Sequence, residues 1–139
     1  MDANKFQLGD WCLYGKRYGI IQKISNNSAC VLVNTGVQDE IIVETWDNID
    51  SVKLTQDILE KNGFIEIAED IYKCCVGEVY IEIGIYKPMF IYIGARVITP
   101  EEVYDTDISS ITKANGGDFF VHDLQNALRL CGIDKKIKL

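Results

Sequence analysis

The sequence predicts an α+β protein. A small, strongly bent β-barrel over residues 1–54 is followed by an antiparallel sheet with two helices over residues 55–139, packed as one unit. Three observations carry this. Short apolar runs punctuated by Gly and Asn fill the first third of the chain. An unbroken apolar/polar alternation runs from Val79 to Tyr86. Leu124, Ala127, Leu128 and Cys131 fall at i, i+3, i+4 and i+7, one face of a helix.

Taken in order, Asp10–Tyr14 and Tyr18–Ser25 read as strands around a short turn at Gly15-Lys16-Arg17, with Gly19 just inside the second strand. Ser25-Asn26-Asn27-Ser28 is a turn cluster, because Ser and Asn side chains hydrogen-bond nearby backbone. Ala29–Asn34 follows, then a turn at Thr35-Gly36, a β-branched run at Glu40–Glu44, and a last short strand at Ile49–Leu54. Thr55 is an N-cap, Asp57 lies in the first turn where the helix dipole favours an acid, and Gly63 supplies a left-handed C′ position. A short helix over about Gln56–Asn62 results.

Phe64–Ala68, a turn at Glu69-Asp70, Ile71–Val76 and Glu78–Tyr86 then form a second β region. Lys87-Pro88 breaks it, Met89–Ile93 resumes it, and Gly94–Ile98 continues that strand or forms another. The connections are too short for crossovers, so the sheet is antiparallel. Thr99–Gly117 is the least regular stretch: Asp105–Asn115 reads as a long exposed loop and Gly116-Gly117 as flexible. Gly132 stops the last helix, and Ile133–Leu139 is spaced to dock as a terminal strand.

Charge narrows the function classes. Lys and Arg number 14 against 21 Asp and Glu, a formal net charge of −7. Phosphate neutralisation needs the opposite balance, so nucleic acid is not the expected partner. No apolar run approaches the roughly 18–20 residues that span a bilayer. Met1–Asp10 lacks a basic region followed by an apolar stretch, so the expected location is the cytoplasm. The five cysteines (12, 30, 74, 75 and 131) include no CxxC pair and read as reduced, mostly buried thiols, with neither a disulfide framework nor a zinc site.

Two constellations are candidates for ligand contact. Trp11, Tyr14, Lys16, Arg17 and Tyr18 place aromatic rings beside cations, which suits a nucleobase stacked on a ring with phosphate held by Arg or Lys. His122, Asn126 and Arg129 lie at i, i+4 and i+7, with Gln125 beside them, and read as a polar strip opposite the apolar stripe of the last helix. The same residues also suit plainer roles, with Trp11 and a tyrosine in the barrel core and the strip a solvated helix face. The acidic pairs Glu101/Glu102, Asp105/Asp107 and Glu69/Asp70 read as loop charges, and the serines lack a nucleophile-elbow context. No enzyme activity, cofactor or metal is expected.

Two further segments carry a resemblance. Leu54-Thr55-x-x-Ile58-Leu59-x-x-Asn62-Gly63-Phe64 and Val121-His122-Asp123-Leu124-Gln125-Asn126-Ala127-Leu128-Arg129-Leu130-Cys131-Gly132 resemble a family of small uncharacterised proteins of bacteriophages and other mobile elements of Bacteroides and its relatives. Leu8-Gly9-Asp10-Trp11, with Gly15 and Gly19, is similar to the opening of an SH3-like barrel in that family. The resemblance implies an SH3-like fold for the N-terminal barrel and a phage or mobile-element origin; it brings no established activity.

The expected function is therefore non-catalytic binding by a phage accessory protein. One form is an anti-defence sponge that sequesters a nucleotide immune signal through Trp11, Tyr14, Lys16, Arg17, Tyr18, His122, Asn126 and Arg129. The alternative is a protein-interaction module that engages a host or phage protein. A homo-oligomer is also expected, because two short helices leave part of the second sheet's apolar face to be covered.

Overall fold

A computed structural model describes residues 6–34, 38–86, 89–112 and 118–139. The class is α+β: two antiparallel five-stranded sheets and two helices. The turn at Thr35-Gly36, the break at Lys87-Pro88 and the pair Gly116-Gly117 lie outside the described residues. The chain divides into two compact units, Met1–Lys53 with Phe120–Asn126 and Leu54–Phe119 with Ala127–Leu139. The first unit therefore takes in Phe120–Asn126, which the division at residue 54 assigns to the second.

In the first unit, β1 (Trp11–Tyr14), β2 (Arg17–Ile24), β3 (Ser28–Asn34) and β4 (Asp39–Thr45) form a meander. After a 3₁₀ turn at Trp46–Asn48, β5 (Ile49–Asp50) returns to pair with β1, giving the order β4-β3-β2-β1-β5. Directly opposed residues of an antiparallel pair share a face. One face thus carries Cys12, Gly19, Ile21, Val31 and Val33, paired as Cys12↔Gly19↔Val33 and Ile21↔Val31. These side chains, with Phe6, Ala29, Trp46 and Ile49, form the core; Tyr14 and Ile42 pack against it. Gly19 is required by close approach, since a Cβ there would lie 2.4 Å from Val31 Cγ1. Trp46 stacks on Phe6 at 6.0 Å and satisfies its indole N–H on the Ser25 carbonyl at 3.0 Å.

The second unit opens with α1 (Gln56–Lys61), capped as its sequence predicts: Thr55 Oγ1 accepts the Ile58 N–H, and Phe64 N–H closes back on the Leu59 carbonyl past Gly63. Then come β6 (Ile65–Ala68), β7 (Ile71–Val76), β8 (Val79–Ile85), β9 (Met89–Ile98) and β10 (Val103–Thr112), in the order β10-β9-β8-β7-β6. Rows Tyr72↔Ile83↔Ile91 and Cys74↔Ile81↔Ile93 make its buried face. Gly94–Ile98 continues β9.

Two expectations are corrected here. The stretch from Asp105 is not a loop as far as Thr112: it belongs to β10, paired with β9 along its length. Both its faces are mostly exposed and a bulge between Asp107 and Ser109 shifts its register, so no clean period-2 apolar pattern marks it. Ile133–Leu139 forms no strand. It is held by a side chain: Asn62 Oδ1 accepts the Lys138 N–H at 2.7 Å, and Asn62 Nδ2 donates to the Lys138 carbonyl at 2.8 Å. The final helix, α2 (Val121–Leu130), ends at Gly132 as predicted. Its first residues belong to the first unit and its last to the second.

Candidate interaction surface

The face of the first sheet opposite its core is also apolar. Trp11, Ile20, Leu32 and Ile41 stand in one lateral row across β1, β2, β3 and β4. Leu13↔Tyr18 and Cys30↔Val43 flank that row on the same face. Toward β4 the row opens to solvent: Ile41 is 67% exposed and Val43 70%. Cross-strand apolar pairing of this kind stabilises a sheet, but two large β-branched side chains left open at its margin exceed that need.

Strand alternation divides the predicted aromatic and cationic cluster. Trp11 and Tyr18 lie on the open face. Tyr14 is three residues from Trp11, turns to the other face, packs against the core and stands opposite Arg17. Lys16 is exposed in the turn between β1 and β2. The strip on α2 is corrected as well. His122 is not on a solvated face: it is 6% exposed, 4.9 Å from the Phe6 ring and stacked on Phe120 at 5.7 Å. A helical period sees a single apolar stripe; it does not see that Phe6 arrives from the far end of the sequence to cover a second side. Asn126 is tied to the same unit, accepting from Gln7 Nε2 at 2.7 Å. Arg129 is exposed, in the portion of α2 that belongs to the second unit.

Gln125 and Asp10 carry structural work that their residue types alone did not announce. Gln125 bonds the backbone of Gly9 and Trp11. Asp10 is 1% exposed, and its carboxylate accepts the Gln7 N–H at 2.8 Å.

The second unit holds a ring beside a cation that no sequence pattern marks, because its members come from different strands. Lys73 Nζ sits 4.6 Å above the Tyr80 ring and 4.0 Å from a Glu82 oxygen. The ring also lies close to Gly94, where a Cβ would meet Tyr80 Cζ at 2.6 Å. Tyr92 donates its hydroxyl proton to Asp107, and that bond, more than the contact with Tyr80 or burial, pushes the Tyr92 phenol far up from its ordinary range. Beside Tyr80 is a cavity of about 180 Å³ walled by Lys73, Glu78, Arg96 and Asp105 among others. Two cations and two carboxylates in the wall give it no strong preference of charge.

Cys12 is fully buried, and burial, opposed by the Gly19 backbone hydrogen bond and reinforced by Asp10, pushes its thiol up to about 12. Among the described residues no group of three or more His, Cys, Asp or Glu side chains is placed to hold a metal ion, and no helix is long and apolar enough to cross a membrane.

Fold and surface together define a two-sheet α+β protein with an open apolar face on its first sheet. No family model, curated protein or solved structure matches the chain.

Proposed function

We propose that the chain is a non-catalytic protein-interaction module. In this reading the first unit is an SH3-like barrel and its open face receives a host or phage protein. The row Trp11–Ile20–Leu32–Ile41, ending in the exposed Ile41 and Val43, carries the proposal. Such a row matches the apolar centre of a protein interface better than it matches a small polar ligand.

The barrel reading is supported by the return of β5 to β1 after a 3₁₀ turn, and by the packing of Tyr14 on β1 and Ile42 on β4 against one core. Binding without turnover is supported by the state of the histidine and of Cys12. The sole histidine is packed between two rings, and the Cys12 thiol stays protonated. Sequestration of a nucleotide immune signal is the weaker reading, because strand alternation sends Tyr14 and Arg17 away from Trp11 and Tyr18.

The test compares the native chain with an Ile41→Lys/Val43→Lys double variant of unchanged melting temperature. The native chain is expected to co-purify from its own cells with a protein at fixed stoichiometry, and the variant to lose it. Retention by the variant overturns the surface. A co-purified nucleotide, with calorimetric binding of cyclic dinucleotides by both chains, overturns the protein-interaction reading in favour of the sponge.

A further inference from the structure

We infer that β4 is a strand-pairing edge whose occupant is an extended segment of a partner protein, with Lys or Arg at both ends of a five-residue stretch and apolar residues at its second and fourth positions. This rests on the protein-interaction reading and names the partner's chemistry.

Among the described residues β4 has a strand on one side only, β3. An edge strand leaves every second N–H and C=O directed outward, a template for one more strand. At seven residues it is long enough to pair with a peptide. Its side chains then specify which one. Ile41 and Val43 point to the open face and offer an apolar shelf to the partner's second and fourth residues. Glu40, Ile42 and Glu44 point to the opposite face, opposed on β3 by Val33, Val31 and Ala29. An antiparallel segment that matches apolar to apolar puts its first and fifth residues opposite Glu44 and Glu40, where Lys or Arg meets a carboxylate directly. Glu44 keeps its charge, because the Asn48 amide at 2.7 Å and the Thr45 N–H hold its carboxyl below the usual range.

The same carboxylates argue against a second copy of this chain. In antiparallel self-pairing, the register that sets Ile41 opposite Val43 also sets Glu40 opposite Glu44, twice. Like charges directly opposed destabilise a sheet pair, and charges along an edge are a known guard against self-association. Shifting the register by one residue sets Asp39 opposite Glu44 and Glu40 opposite Val43 in one direction, and Glu44 opposite Ile41 in the other. Charge complementarity therefore selects a basic partner over the chain itself.

The probe is a blocked, labelled peptide containing Lys-Val-Thr-Val-Lys. It is compared with Glu-Val-Thr-Val-Glu and with the Lys peptide N-methylated at alternate residues, using anisotropy and backbone amide shifts of the whole protein. The Lys peptide is expected to bind about tenfold or more tighter than the Glu peptide, to shift the amides of β4, and to lose binding on N-methylation. Glu40→Lys should narrow or reverse the preference with an unchanged melt. Equal affinity for the two unmethylated peptides, no binding by any of them, or shifts confined away from β4 overturns the inference, as does a dimer in sedimentation that Glu40→Lys alters. If the peptides fail while Ile41→Lys/Val43→Lys still loses a co-purified protein, the interaction reading survives and the edge inference falls. If both fail, both fall.

Discussion

Gln125 completes the hydrogen bonding of the backbone that leads into Trp11. Its Oε1 accepts the Trp11 N–H at 2.9 Å, and its Nε2 donates to the Gly9 carbonyl at 3.2 Å. A side-chain amide has the same donor and acceptor as a peptide unit, so it stands in for a neighbouring strand where β1 begins. The end of the apolar row is thereby held by a helix residue 114 positions away in the chain. Replacing it with an apolar group leaves both backbone groups without this partner. Gln125→Leu should cost about 1–3 kcal/mol in chemical denaturation, and Gln125→Glu, which keeps the acceptor alone, less. Amide exchange at Trp11 should quicken in both.

His122 is a packing residue on the geometry found. His122→Ala opens a space between Phe6 and Phe120 and should destabilise the protein by about 2–4 kcal/mol, in the range of buried large-to-small changes. Peptide affinity measured on the folded fraction should not change. A large loss of affinity at unchanged stability would return His122 to the ligand site.

Asn62 is 7% exposed and makes three bonds through one amide, donating to Ile58 and Lys138 carbonyls and accepting from the Lys138 N–H. Asn62→Leu should cost about 2–4 kcal/mol, near 1 kcal/mol for each bond plus the groups left unsatisfied. The Lys138 amide should lose its exchange protection. Asn62→Asp, which keeps the acceptor but sets a buried carboxylate oxygen against both carbonyls, should cost at least as much.

Alkali should weaken the fold through Cys12. Its folded thiol is raised from an ordinary 9.0 to about 12, chiefly by burial. A pKa raised on folding means the unfolded chain releases its proton first. This contribution is whole below about pH 9 and is lost as pH climbs toward about 12. Tyr72, raised to about 12 mainly by burial and then by its bond to Glu66, adds a loss of the same sign above its ordinary 10.0. Denaturation midpoints compared at about pH 8 and about pH 11 should fall, and Cys12→Ala should fall less steeply between the two. Exposed Cys75 should alkylate in the native state while Cys12 does not.

Parts of the candidate surface were legible in the sequence. Glu40-Ile41-Ile42-Val43-Glu44 reads as a β-branched strand, and its period-2 parity puts Ile41 and Val43 on one side and both glutamates on the other. The same parity separates Trp11 from Tyr14. What the pattern could not supply is the neighbour of each strand: that β4 is an edge, and that Lys73, Tyr80 and Arg96 from three strands meet.

By itself the sequence determined the local elements: the alternation through β8, the capped α1 ending at Gly63, the turn at Asp70, and the apolar stripe of α2 with its stop at Gly132. These follow from backbone geometry and from side chains a few residues apart, so a short window contains their cause. Tertiary structure alone decided that β10 is a strand, since its stabilisation comes from the β9 ladder rather than from an apolar face. It alone decided that His122 is buried, that Gln125 serves as a strand neighbour, and that Asn62 holds the last residues. Each depends on a group brought from far along the chain, and only the closed core fixes which distant groups meet.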